Sequence, residues 1–211
     1  MKLTFQKDDL LNGINIVLKA VPSKTTMPIL ECILIDASDN QIKLTANDME
    51  LGIETKVEGS ILSKGKIALD AKLLSEIIRK LSGGESDITI ESDDKYNTTI
   101  TCDNSVFHIQ GKNGDEFSYL PFIEKDHFIC LSQFTLKEVI RQTLFSISVN
   151  DSNKMMTGEL FQVTDNELKV VSLDGHRMSI RKVELKDHYE NIKVIVPGKT
   201  LGEISKILNG D

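Results

Sequence analysis

Asp174, Gly175, His176 and Arg177 place a carboxylate, a flexible residue, an imidazole and a guanidinium side by side. An aspartate two residues from a histidine at a turn can act as the orienting group and the base of a hydrolytic site. Such a site also needs a nucleophile, a metal set or a glycine-rich phosphate loop. Ser172 and Ser179 lie near in sequence but have no elbow motif around them, and His108, His127 and His188 show no zinc-ligand spacing. The expectation is therefore no catalytic centre, no metal and no cofactor. A small α/β hydrolase centred on Asp174 and His176 is the enzymatic alternative. The other chemistry open to this cluster is recognition, as a turn that a second protein grips, or plain turn formation.

The elements that position the cluster follow from an internal repeat. Residues 37–58 align without a gap on 163–184, so that Asp48 falls on Asp174. Upstream, Leu10, Ile14, Leu18 and Val21 fall on Leu136, Ile140, Leu144 and Ile147. Downstream, after a one-residue slip, 66–84 matches 193–211. The chain thus reads as domain 1 over 1–120, a linker over 121–127 and domain 2 over 128–211.

Hydrophobic periodicity predicts strand 2–6, helix 8–21, strands 28–37, 41–47, 50–58 and 66–70, helix 71–82, and strands 87–92, 96–101 and 105–111. The second copy predicts strand 128–131, helix 135–148, strands 156–164, 167–173, 177–184 and 193–197, and helix 198–208. Asp8 and Thr135 are the expected N-caps. The fold class is α+β: repeated βαβββ units with helices on one face of antiparallel sheets. The second copy stops where the first still has three strands to come, so the expectation is a fragment with an incomplete second domain. Asp174 shares its role with Asp48 and should serve the turn. Gly175, His176 and Arg177 face Met49, Glu50 and Leu51, so the fold is not expected to require them.

The composition fits an ordinary soluble globular chain, 40% apolar and 27% charged. No apolar run approaches the roughly 20 residues that cross a bilayer, and the N-terminus has no signal-peptide core. A cytoplasmic protein without membrane contact is expected. Cys32, Cys102 and Cys130 read as small buried apolar residues. The net charge of −7 disfavours a uniformly basic nucleic-acid binder but allows one whose cations occupy one face. The helices supply a face of small positive balance: Lys72, Glu76 and Arg79 share one side of the second helix, Lys137 and Arg141 lie four apart in the third, and Lys199, Glu203 and Lys206 repeat the first set in the last. Phosphate contacts from these side chains carry no base information and fade with salt. An interaction scaffold that never touches DNA is the remaining alternative.

The stretches "MKLTFQKDDLL", "TTMPILECILI", "KLTANDMELGIE", "GKIALDAKLLSEIIRKL", "VFHIQGKNGDEFSYLP" and "SLDGHRMSIR" together resemble the bacterial β sliding clamp family, the processivity subunits of DNA polymerase III. The resemblance implies the DNA-clamp fold, with three such domains per chain and two chains closing head to tail around duplex DNA. It implies DNA contacts from Lys24, Lys72, Arg79, Lys80, Lys137, Arg141, Asn150, Lys154, Lys199 and Lys206. It implies a peptide pocket walled by Met156, Leu173, Gly175, His176, Arg177 and Met178, where the polymerase catalytic subunit and the clamp loader dock. Phe107 and Ile109, with Ile77 and Ile78, are implied at the homodimer interface.

Overall fold

The computed structural model describes residues 1–81, 87–117, 120, 128–149 and 152–209. The chain forms two compact units, Met1–Phe122 and Ile123–Asp211. The expected linker over 121–127 lies outside the described residues.

The first unit opens with β1 (Lys2–Phe5), whose alternating Leu3 and Phe5 are buried. α1 (Lys7–Val17) follows and buries Leu10, Ile14 and Val17 at helical spacing. Asp8 lies inside its first turn rather than capping it; the cap position is Gln6, whose side chain makes no cap bond. Asp8 and Asp9 suit the positive end of the helix dipole instead. Pro28, with no amide hydrogen and a fixed φ, starts a 3-10 turn over Pro28–Glu31, so the next strand begins later than expected.

That strand is β2 (Cys32–Asp36), followed by β3 (Ile42–Asn47), β4 (Gly52–Val57), β5 (Ser60–Ser63) and β6 (Lys66–Asp70). α2 (Ala71–Lys80) is capped by Asp70, which accepts the Leu73 amide hydrogen at 2.8 Å. β7 (Ile88–Ser92), β8 (Asn97–Cys102), β9 (Ser105–Gln110) and β10 (Lys112–Asn113) complete the unit. The short edge strands β5 and β10 carry too little alternation to be read from sequence.

Two antiparallel sheets result, in the orders β5-β1-β7-β8-β9 and β10-β6-β2-β3-β4. The two βαβββ runs are therefore interlocked rather than separate. β1 leaves its own run to pair with β7, and β6 pairs with β2 in the other direction. Each helix starts from one sheet and delivers the chain to the other. Leu3, Ile33, Leu44, Leu74, Ile88 and Ile100, drawn from both sheets and α2, belong to one continuous core with α1.

The second unit contains α3 (Gln133–Thr143), β11 (Gly158–Leu173), β12 (Met178–Pro197) and α4 (Gly198–Ile207). Its N-cap is Ser132, whose hydroxyl accepts the Thr135 amide hydrogen at 3.0 Å, and not Thr135. Residues 128–131 form no strand. β1 is hydrogen-bonded along both edges by β5 and β7, whereas among the described residues the Cys130 amide donates to the Tyr189 hydroxyl alone, at 3.0 Å. Cys130 is exposed, contrary to expectation; Cys32 and Cys102 are buried.

The repeat holds at the level of register. Ile33 pairs with Leu69 as Glu159 pairs with Val196, and Ala46 with Ile53 as Ser172 with Ser179. The 3-10 turn Lys154–Thr157 matches Pro28–Glu31. β11 runs continuously through the turn expected at 164–166, but Asp165 has φ 55° and the register shifts on both sides of it. Residues 158–163 thus pair with 192–197, and 167–173 with 178–184.

Each unit also ties its helix pair with a lysine. Lys7 Nζ donates to the Leu81 carbonyl at the end of α2, and Lys137 Nζ donates to the Leu208 carbonyl at the end of α4, at 2.9 Å. Both satisfy carbonyls that a helix leaves without partners. Replacing Lys137 with Met should destabilise the second unit by about 1 kcal/mol in urea denaturation, while Lys80→Met should be near neutral. Equal effects would sink the capping assignment.

Candidate functional site

The turn at Asp174 is built twice, which separates what folds it from what it could recognise. In the first unit Asp48 Oδ1 accepts the Glu50 and Leu51 amide hydrogens at 3.0 and 2.8 Å. In the second, Asp174 Oδ1 accepts those of His176 and Arg177 at 3.0 and 3.1 Å. The backbone closes both turns, Asp48 N to Leu51 O at 3.0 Å and Asp174 N to Arg177 O at 3.3 Å. The aspartate thus serves the turn. Its second oxygen accepts from Arg177 Nε at 2.9 Å. The His176 backbone bond first, then those of Arg177, hold the Asp174 carboxyl below its usual range. The carboxylate meets the backbone of His176; among the described residues no bond to the imidazole orients it as a base.

Gly175 needs a different account from the one the sequence invites. Its φ is 84°, and Met49 at the matching position has φ 75°. The left-handed residue is a demand of the turn, shared by both copies. Glycine meets it without strain and methionine does not. A side chain at 175 would meet nothing within 4 Å, so close approach by the protein's own backbone is not what selects glycine. The residues specific to the second turn are His176 and Arg177, both exposed.

Around this turn the sheet presents Met178, 59% exposed, with half-buried Leu173 as its direct strand partner. Met156, half-buried, is held at the end of the 3-10 turn, its carbonyl accepting the Ser148 amide hydrogen at 2.9 Å. Met155, next to it and absent from the expected set, is 65% exposed. The first unit has no room for the equivalent side chain: at Gly52, the exposed counterpart of Met178, a Cβ would run into the Leu120 side chain.

The basic residues divide by their partners. Lys24, Lys72, Lys80 and Lys154 are exposed and make no ion pair among the described residues. Arg79 is exposed and donates to Ser75 Oγ at 3.3 Å. Arg141 is held by Glu138 through two bonds of 2.8 and 2.7 Å, which lower the Glu138 carboxyl and raise the guanidinium. Lys206 pairs with Glu203 at 2.7 Å. Lys199 is exposed and also engaged. Lys137 is not a free cation: half-buried, it is committed to the end of α4. Asn150 lies outside the described residues.

The implied interface residues also divide. β9 is the last strand of its sheet, with Val106 55% and Phe107 36% exposed; Ile109 packs against the core. Ile77 and Ile78 are core residues, 6% and 0% exposed, because α2 turns both toward the sheets. They cannot form a surface. The apolar residue that α2 leaves outside is Leu73, 44% exposed, which sequence reasoning missed and helical spacing would have found.

A family model described as DNA polymerase III beta subunit, N-terminal domain, matches residues 1–121, and one for the central domain of the same subunit matches 130–211. The chain is 36% identical over 217 residues to the beta sliding clamp of Staphylococcus epidermidis, covering 99% of this chain and 57% of that protein. Among solved structures, a putative DNA polymerase III beta subunit from Eubacterium rectale superimposes with a TM-score of 0.97 at 63% identity, over 100% of this chain and 57% of that one. The DNA polymerase sliding clamp from Bacillus subtilis gives 0.93 at 37% identity, over 99% and 57%. The chain thus spans 57% of the length of these relatives.

The paired turns make a test of backbone strain. Met49→Gly should stabilise the first unit by about 0.5–1 kcal/mol, and Gly175→Ala should destabilise the second by about 1 kcal/mol, both by urea denaturation. Effects of the opposite sign would show that the left-handed residue is not what the turn demands.

Proposed function

The chain belongs to the DNA polymerase III beta subunit family, and we propose that it works as part of a sliding clamp, holding a polymerase on duplex DNA without reading its sequence. The observation that carries this reading is the separation of charge. In a chain of net −7, Lys72, Arg79 and Lys80 outnumber Glu76 on the exposed side of one helix, and Lys24 in a loop and Lys154 on a 3-10 turn make no ion pair among the described residues. Mobile cations of this kind suit phosphate oxygens, which lie at similar positions along any duplex. Arg141 and Lys206, each tied to a carboxylate three residues away, contribute less. Lys137 drops out of the DNA-binding set.

The turn at 174–177, with Met155, Met156, Leu173 and Met178, is the docking surface in this reading. The methionines offer an adaptable apolar floor, and His176 and Arg177 orient a peptide by its polar groups. Its ligands are peptides of the polymerase catalytic subunit and the clamp loader. The exposed edge at β9, with Val106, Phe107 and Leu73, is where the full-length protein would meet a second chain to close a homodimeric ring. No chemistry of its own is required of the chain: it binds, encircles and tethers.

In the full-length protein, Lys72→Glu, Arg79→Glu and Lys80→Glu together should abolish retention on nicked circular DNA. Each lost phosphate contact should lower the log–log salt slope of binding by about 0.9. Unchanged retention would overturn the assignment of α2 to the DNA. His176→Ala should weaken capture of a polymerase-derived peptide roughly tenfold with unfolding unaltered; a loss of hydrolytic turnover instead would favour an enzyme.

A further inference from the structure

The second unit buries a carboxyl that nothing answers. Glu159, the second residue of β11, is 0% exposed, and neither side-chain oxygen has a hydrogen-bond partner among the described residues. The polar group beside it is the Thr143 hydroxyl, which gives its own proton to the Val139 carbonyl at 2.7 Å. A buried ion without a partner is costly, so the group must take up a proton or draw in water.

The repeat shows that the fold does not require this arrangement. Ile33 stands at the matching position of the first unit, in the same register and fully buried. Four further positions change in the same direction. Val17, Ala20, Ala46 and Ile53 of the first unit have Thr143, Ser146, Ser172 and Ser179 as their counterparts.

These hydroxyls form one layer between the end of α3 and the sheet. Ser172 Oγ donates to the Thr143 carbonyl at 2.6 Å, and the Ser146 and Ser179 hydroxyls lie 2.6 Å apart. Thr143, Ser146 and Ser172 are buried. Ser172 and Ser179 are strand partners immediately before and after the pair Leu173 and Met178 that carries the turn at 174–177. The layer therefore links the end of α3 and the 3-10 turn after it, Leu144–Ser146, to that turn through two hydrogen bonds that the first unit lacks.

We propose that Glu159, seated in this hydroxyl layer, is a proton-operated element of the second unit: with its proton α3 closes on β11, and without it that contact opens and loosens the turn. Among the described residues no charged group offsets the ion. Lys137, Glu138 and Arg141 on α3, Lys154 on the 3-10 turn, Lys193 on β12 and Lys199, Glu203 and Lys206 on α4 all belong to elements around it. None of them acts on its carboxyl, which responds to burial and, in the opposite sense, to Thr143. Burial, the larger effect, pushes the carboxyl up to about 7. The sign follows: a proton bound more tightly in the folded state stabilises it at low pH, and that stability is lost as pH rises from the ordinary carboxyl range through about 7. The proposal concerns packing within the second unit and does not depend on the clamp reading.

Hydrogen exchange on the 211-residue chain, expressed as protection factors, reads the effect. Protection over 139–146 and 158–180 should fall by up to about tenfold per pH unit between roughly pH 5 and 7, while 10–20 and 32–54 stay level. Glu159→Gln should flatten the profile; Glu159→Ile, the residue of the first unit, should flatten it and raise protection. The 13C titration of the Glu159 carboxyl in the unmodified chain checks the group should either variant fail to fold. A midpoint at the ordinary value of about 4.3, or protection that falls in parallel in wild type and Glu159→Gln, would overturn the proposal.

Discussion

The first unit rests on a core that neither of its sheets can close alone. Leu3 and Ile90 come from one sheet and Ile33 and Leu69 from the other, and all are fully buried in the same cluster. The exchange of β1 and β6 between the sheets makes this sharing unavoidable. Burial of apolar surface is the dominant favourable term in folding, so the helices are obliged to turn their apolar stripes inward. What remains outside on α2 is Lys72, Leu73, Glu76, Arg79 and Lys80. The charged face attributed to DNA is thus the complement of a packing requirement.

The repeat acts as an internal control throughout. A feature present in both copies belongs to the fold: the aspartate that closes each turn, the left-handed residue after it, and the lysine that reaches the end of the second helix. The lysines show that the requirement, rather than the position, is shared, since Lys7 and Lys137 occupy different places on their helices and answer equivalent carbonyls. A feature present in one copy only invites a functional account. His176 and Arg177 are of that kind on the surface, and Glu159 with its hydroxyl layer is of that kind in the interior.

The α+β class, the order of the long elements and the repeat were legible because periodicity of apolar residues reports burial directly. The role of Asp174 was legible because the repeat sets it on Asp48, and the exposed cations on α2 because helical spacing separates them from the apolar stripe; the edge at β9 was implied only by the family resemblance. The exchange of β1 and β6 was not, since alternation in a strand does not name its neighbour. Ile77 and Ile78 were misplaced because two adjacent isoleucines on a helix satisfy a surface or a core pattern until the sheets are present. Lys137 looked like any exposed cation; only the packing of α3 against α4 brings its ammonium to the Leu208 carbonyl. Gly175 was misread because the strain at Met49 is a backbone property with no sequence signature of its own.

The interlocked sheets also decide what can be removed from the first unit. A lone βαβββ run would leave its first strand without the sheet that β1 joins, and its other strands without the place that β6 fills. Cutting either run away would therefore open both sheets at once, so the two runs form and melt as one cooperative body.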